Sequence, residues 1–264
     1  MFNADEFYNE RNQHTTPPGT YIDILGSPVG KDEAIEVAIL NEHRFAFYYW
    51  LKWTNAIKGK SYEIPSLVSI DWHNDLTNLD GLDLDQLDLL DLSNLEKASF
   101  FTWARINPLN DTHITSALRL NLIKDVYVLS KQPTFENSKT SEFKDKFGNS
   151  HIIKISDNTI DFENSIKGIS ENSLYFDIDL DYFMTSKDLC GDEGIIMERS
   201  IILKILDPKS NLFKLVYEKI RGFTIAREPK WCNGIKNSNT IMDILNENLF
   251  GSTLLTKNAK WKIK

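Results

Sequence analysis

Two apolar runs of strand length each end in alternating acidic residues, and this pairing restricts the fold more than any other feature of the chain. Leu67–Ile70 (LVSI) leads into Asp71-Trp72-His73-Asn74-Asp75, and Leu174–Phe176 leads into Asp177-Ile178-Asp179-Leu180-Asp181. In an extended backbone successive side chains point to opposite sides, so Asp71, His73 and Asp75 share one side, as do Asp177, Asp179 and Asp181. Either run alone has an ordinary explanation: a half-exposed strand with a wet face, or a polar strand terminus. Two such runs, each at the end of a buried strand, repel and desolvate their carboxylates at a cost on the order of several kcal/mol unless a cation offsets them. Carboxylates with an imidazole among them suit a hard-to-borderline divalent ion.

The rest of the chain places these runs in an α/β architecture. Ile35–Leu40, Leu67–Ile70, Asp125–Ser130, Ile152–Ile155, Leu174–Leu180 and Phe223–Ala226 read as strands. Phe45–Ile57, Ile114–Leu122, Ile195–Ile205, Leu212–Ile220 and Ile241–Leu249 read as helices by their period. Such alternation predicts a mostly parallel central sheet with helices on both faces and right-handed crossovers. Ligands of such sheets sit beyond the carboxyl ends of the strands, where both acidic runs lie. A polar loop is expected after Ile70, and Lys131–Ser150 reads as a mobile polar insertion. Leu79–Leu92 carries five aspartates among leucines. It reads either as an amphipathic segment with a solvated acidic face or as an acidic rim that attracts a positively charged peptide.

With 264 residues and 41% hydrophobic content, the chain is expected to form one domain, residues 1–264, with residues 1–20 as an irregular arm. A net charge of −8 disfavours nucleic acid and anionic membranes as partners and mildly favours a cationic ligand. No apolar stretch reaches the roughly 18 residues of a membrane span, and the polar N-terminus lacks the order of a secretory signal. With two isolated cysteines, Cys190 and Cys232, these features predict a cytoplasmic location.

His43 follows the strand Ile35–Leu40 and leads into an aromatic helix, a position that suits a helix-cap or core residue as well as a ligand. Taken together, NEH before an aromatic helix, SIDWHNDL, NDTHI and YFDIDLDYF resemble the arginase–deacetylase superfamily of ureohydrolases, most closely its peptide arginases. Those enzymes convert arginine residues of ribosomally made precursor peptides to ornithine, releasing urea. The resemblance spans about residues 35 to 232, and its specific parts are DxHxD and DIDLDYF. It implies an arginase-like three-layer sandwich holding two manganese ions, with an arginine-containing precursor peptide as the partner. It also implies six metal ligands: His43, Asp71, His73, Asp75, Asp177 and Asp179. Asp71 and Asp177 would be shared by both ions, His43 and Asp75 would complete one shell, and His73 and Asp179 the other. Asp181 has no clear counterpart.

The same resemblance implies a role for Asp75 as the catalytic proton acceptor and makes His113 a candidate for the proton shuttle. His113 alternatively just occupies the first turn of a helix capped by Asp111 or Thr112. Glu228 follows the last core strand, where a carboxylate opposite a guanidinium is the expected recognition chemistry. An ordinary surface pair with Arg227 is the other reading. Phe100–Thr112 has no match to the loop with which free-arginine arginases grip the α-amino and α-carboxylate groups. Other guanidino compounds, acylated amines, and a binding protein without turnover remain open alternatives.

Overall fold

The structure is a computed structural model and describes residues 16–58, 63–132, 138–185 and 194–262. Its centre is an eight-stranded sheet built from β1 (Tyr21–Gly26), β2 (Ala34–Leu40), β3 (Ser66–Asp71), β4 (Val126–Ser130), β5 (Ser138–Lys144), β6 (Ser150–Ser156), β7 (Leu174–Asp179) and β10 (Ile220–Ala226). The strand order is β1-β2-β10-β7-β3-β4-β6-β5. The six inner strands run parallel, and β1 and β5 pair antiparallel at the two edges. The expected mostly parallel sheet with helices on both faces is therefore present. Among the described residues no helix is long and apolar enough to cross a membrane.

The central strands are buried on both faces, as the near-continuous Val, Ile and Leu of parallel strands requires. Val68, Ile70, Phe176, Ile178, Phe223 and Ile225 point to one face, where they pack with α5 (Thr159–Ile166), α6 (Arg199–Ile205), α7 (Asn211–Lys219) and α8 (Ile235–Phe250). Leu67, Val126, Val128 and Tyr175 point to the other face, against α1 (Ala46–Ile57), α3 (Leu95–Ala104) and α4 (His113–Arg119). By the same alternation Ser69, Asp71, Asp177 and Asp179 belong to this second face.

The chain leaves β3 toward β4 through α2 (Gly81–Asp88), α3 and α4 on the second face. It leaves β7 toward β10 through α6 and α7 on the first face. Neighbouring strands whose connections depart in opposite directions define a topological switch point, where a crevice opens at the carboxyl edge. β3 and β7 are those strands, and their ends are the two acidic runs.

α1 is apolar nearly all round, as a helix enclosed by core should be. Its Thr54 donates to the Leu122 carbonyl at 2.7 Å and lies 2.8 Å from the Tyr175 hydroxyl, fixing the helix to the sheet. Trp53 lies so close over β10 that a Cβ on Gly222 would stand 2.3 Å from its ring. Gly222→Ala should therefore destabilise the fold by about 1–3 kcal/mol through overpacking. A lower urea midpoint at unchanged slope is the expected measurement, and an unchanged midpoint would refute this packing account.

Several expected boundaries are corrected. Lys131–Ser150 holds β5, an edge strand registered along all of β6. The polar loop after Ile70 holds α2 and α3, and Tyr21–Gly26 is a strand. The expected helix Ile195–Ile205 begins only at Arg199, because Ile195–Ile196 (β9) pairs with Met184–Thr185 (β8) as a two-residue ribbon. Of the irregular arm, residues 16–20 are described and form bends and turns. Cys190 and His14 lie outside the described residues, and Cys232 is a buried free thiol. In the acidic segment, Asp88 is held by Arg119 through two hydrogen bonds of 2.8 and 2.5 Å, whereas Asp85 and Asp91 are exposed.

Candidate metal centre

Five segments converge at the carboxyl edge of the sheet: residues 41–45 after β2, 71–75 after β3, 110–113 before α4, 179–183 after β7, and 227–230 after β10. His43 opens a short 3-10 turn that feeds α1 and is fully buried. Its Nδ1 lies 2.9 Å from Asp75 Oδ2 and 3.2 Å from both Asp71 Oδ2 and Asp179 Oδ2. Its Nε2 lies 2.8 Å from Asp177 Oδ2. A second cluster forms beside the first, where His73 Nδ1 stands 3.2 Å from Asp181 Oδ2 and 3.9 Å from Asp71 Oδ1.

Asp177 differs from the other acids. Ser69 on β3 and Thr224 on β10 flank it in register, and their hydroxyls donate to it at 2.7 and 2.5 Å. With His43 Nε2 added, both of its oxygens are engaged from within the sheet. Asp179 and Asp181 lie farther out. Beyond Asp179 the backbone leaves the ladder for a 3-10 turn at Leu180–Phe183, whose Asp181 N–H donates to Asp179.

Among the described residues three groups of side chains have potential ligand atoms within 4.8 Å of one another: His43–Asp71–Asp179, Asp71–His73–Asp181 and His43–Asp75–His113. They bring together every expected ligand except Asp177, and add Asp181 and His113. Oxygen-rich donors with imidazole fit a divalent cation such as manganese better than a closed zinc site of nitrogen and sulfur. The fit is also visible in buried atoms that lack a hydrogen-bond partner: Asp71 Oδ2, His43 Nδ1 and both His113 ring nitrogens. Buried polar atoms left in this condition are costly in a core.

The electrostatics express the same crowding. Burial pulls the His43 imidazolium down, but Asp177 and Asp179 outweigh it and hold its pKa well above the ordinary value. Burial likewise opposes the charge on His73, yet Asp181 and Asp71 bring it up to about 9. Burial and the neighbouring Asp71 push Asp75 well above the usual carboxylate range, and burial with Asp181 does the same to Asp179. Asp181 is raised by burial as well. Against burial, the imidazoles of His43 and His73 hold Asp71 below its ordinary value.

His113 is fully buried at the start of α4, its ring 4.3 Å from that of His43 and 5.5 Å from that of Trp50. Nε2 is 3.8 Å from Asp75 Oδ2. Burial, then the charge on His43, keep this ring neutral, with its pKa well below the ordinary value.

Glu228 is 2% exposed, and its Oε1 accepts from the His43 backbone N–H and from Asn110 Nδ2, the latter at 2.6 Å. Burial pushes it up to about 8. It lines a pocket of about 380 Å³ with Asn41, Glu42, Arg44, Pro108, Asn110, Pro229 and Lys230. Arg227 does not pair with Glu228; its guanidinium turns to Asn239 Oδ1.

Asp75, Asn110 and Glu228 all adopt left-handed backbone conformations, with φ of 51, 63 and 40°. Such strain in non-glycine residues costs on the order of 1–3 kcal/mol each and persists where surrounding structure enforces it, commonly at functional sites. Neither protein-family models nor curated proteins give a match to this chain.

Proposed function

We propose that the protein is a binuclear manganese hydrolase of the arginase type that converts arginine residues of a precursor peptide to ornithine, releasing urea in the cytoplasm. The observation that carries this reading is the convergence of His43, Asp71, Asp75 and Asp179 on one point, with His73 and Asp181 beside them, at the switch point of a parallel sheet. An arginase-like three-layer sandwich is the proposed relation of this fold to known ones, and the sequence motifs favour it.

The geometry favours a ligand set that keeps His43, Asp71, His73 and Asp75 and moves the pair from the β7 run two residues along, from Asp177 and Asp179 to Asp179 and Asp181. His43, Asp71, Asp75 and Asp179 would hold one ion, and Asp71, His73, Asp179 and Asp181 the other, with Asp71 and Asp179 shared. Asp177 would instead orient His43 through Nε2, in the way that carboxylates commonly fix the ring and tautomer of a ligating histidine. When bound, two such cations would lower the pKa of a water and offset the negative charge on its oxygen.

The remaining chemistry belongs to side chains. Asp75 would take a proton from the attacking water, and His113, whose Nε2 stands 3.8 Å from Asp75 Oδ2, would receive and return it. The departing amine needs that proton to leave as ornithine. Glu228, at the wall of the pocket, would meet the planar guanidinium as it enters, since a carboxylate matches its fork of donors. The acidic charge of the chain supports a cationic substrate.

Mass spectrometry of an arginine-containing peptide incubated with manganese-loaded protein tests the reading, with free arginine in parallel. The expected result is a net loss of CH2N2 per arginine, abolished by Asp179→Ala, with free arginine unchanged. Turnover of free arginine alone would move the substrate to a small molecule. No turnover of either, with manganese bound, would overturn the arginine chemistry and keep the metal centre.

A further inference from the structure

Lys131 lies just past the end of β4, outside every group of potential ligands, yet it touches both segments that carry the His73–Asp181 half of the centre. Its Nζ donates to the backbone carbonyls of Tyr182 and Met184, the latter at 2.9 Å. The same ammonium stands 4.5 Å from the ring centroid of Trp72 and 4.6 Å from that of Tyr182. Trp72 sits between Asp71 and His73, and Tyr182 follows Asp181. One half-buried cation thus joins the loop after β3 to the turn after β7.

The surrounding backbone closes the same clamp. The Trp72 carbonyl accepts from Ser130 Oγ at 2.8 Å and from the N–H groups of Lys131 and Gln132 at 3.1 and 2.8 Å. Gln132 Oε1 accepts from the Asn74 N–H at 3.1 Å, and Asp181 Oδ1 accepts from the Trp72 N–H at 3.3 Å. A cation over two aromatic faces is attracted by the negative face of each ring, and the more so as it is withdrawn from water. Its pKa falls to about 8 because burial opposes the charge, which Asp181 in turn favours.

We propose that Lys131 is a positioning residue for one half of the metal centre: it sets the separation of His73 and Asp181 and leaves the His43–Asp75 half alone. The inference rests on the metal reading above. In the interactions described Lys131 touches Trp72, Tyr182 and Met184, the neighbours of His73 and Asp181, and does not touch the side chains of His43, Asp75 or Asp179, so its loss should act on the ion beside His73 and Asp181. Groups that orient ligands from behind typically contribute 10–100-fold in metal affinity, and that is the size expected here.

Calorimetric titration of the full chain with manganese, with the chelated protein as starting material, tests this. Wild type should bind two ions. Lys131→Met should weaken one of the two by about 10–100-fold and leave the other unchanged, and Lys131→Arg, which keeps a cation between the two rings, should restore it. Electron paramagnetic resonance reads the same change as a coupled two-ion signal replaced by that of an isolated ion. If Lys131→Met does not fold, Lys131→Gln takes its place with the same expectation. Two-ion binding unchanged in the neutral variant, or equal weakening of both ions, overturns the proposal. Wild-type protein that takes up no manganese overturns the metal reading and this proposal with it.

Discussion

Asp179→Ala is expected to leave the chain unable to hold either ion and to lower turnover by about 1,000-fold or more, some 4 kcal/mol of barrier. Asp177→Asn, two residues upstream on the same face of the same strand, should keep the two-ion stoichiometry. The difference follows from where each carboxylate ends. Asp177 is closed in by Ser69, Thr224 and His43 Nε2, whereas Asp179 Oδ2 faces His43 Nδ1 within the set that contains Asp71 and Asp75. An amide in place of the Asp177 carboxylate would hold His43 less firmly, for which about 10–100-fold in affinity for one ion is the expected cost. Asp181→Ala should lose the ion beside His73 and keep the other. Metal analysis after dialysis, with titration of each variant, reads all three. Two ions retained by Asp179→Ala, or both lost from Asp177→Asn, would return the shared role to Asp177.

That contrast marks where the sequence stopped being informative. Alternation with period two places Asp177, Asp179 and Asp181 on one side and makes them equivalent. What separates them is how far the neighbouring strands extend: Ser69 and Thr224 flank Asp177, and the backbone then turns at Leu180. Neither fact is written in YFDIDLDYF itself. Asp71, His73 and Asp75 were legible because the buried run LVSI ends where they begin. His43 and Glu228 were legible only as residues following strands; their meeting through the His43 N–H depends on β2 and β10 being neighbours.

The fold shows the same division. The inner strands announce themselves as Val, Ile and Leu runs because both of their faces are buried. The edges do not. β5 reads as SKTSEFK, a polar segment that takes strand form through its pairing with β6, and β1 is a short run between turns. Likewise α2 buries only Leu87 among its eight residues, so its periodicity carries little apolar signal. Tertiary partners decide such segments, and a single sequence does not display the partners.

Removing metal should make the stability of the protein fall as pH rises from about 6.5 to 9. Seven groups at the centre with resolved shifts, and Glu228 beside it, fix the sign. The folded state holds protons on His43, His73, Asp75, Asp179, Asp181 and Glu228 to higher pH than the unfolded chain does. Where the native state binds more protons, stability declines with rising pH. For the histidines the stabilisation is complete below their unfolded pKa and is lost as pH rises through the folded value, about 9 for His73. The raised carboxyls add a penalty that grows above their unfolded pKa until they ionise in the native state, near 8 for Glu228. Asp71 and His113 act in the opposite sense, because their values are depressed. Their contributions are complete once the pH passes the ordinary carboxylate and imidazole values of about 4 and 6.5. Above that point the declining contributions of these six groups are opposed by Lys131 only from about pH 8, its lowered value making the folded state lose that proton first. Bound cations replace the protons, so the stabilisation by manganese should grow across the same interval and metal uptake should release protons. Thermal melts of chelated and manganese-loaded protein at several pH values give the measurement. At saturating metal a gain on the order of 10 °C is expected near pH 8, with a smaller gain at pH 6.5. A chelated protein whose midpoint is flat or rises over that interval would show that these carboxylates and imidazoles do not form the proton-sharing cluster described, and would remove the electrostatic argument for a cation among them.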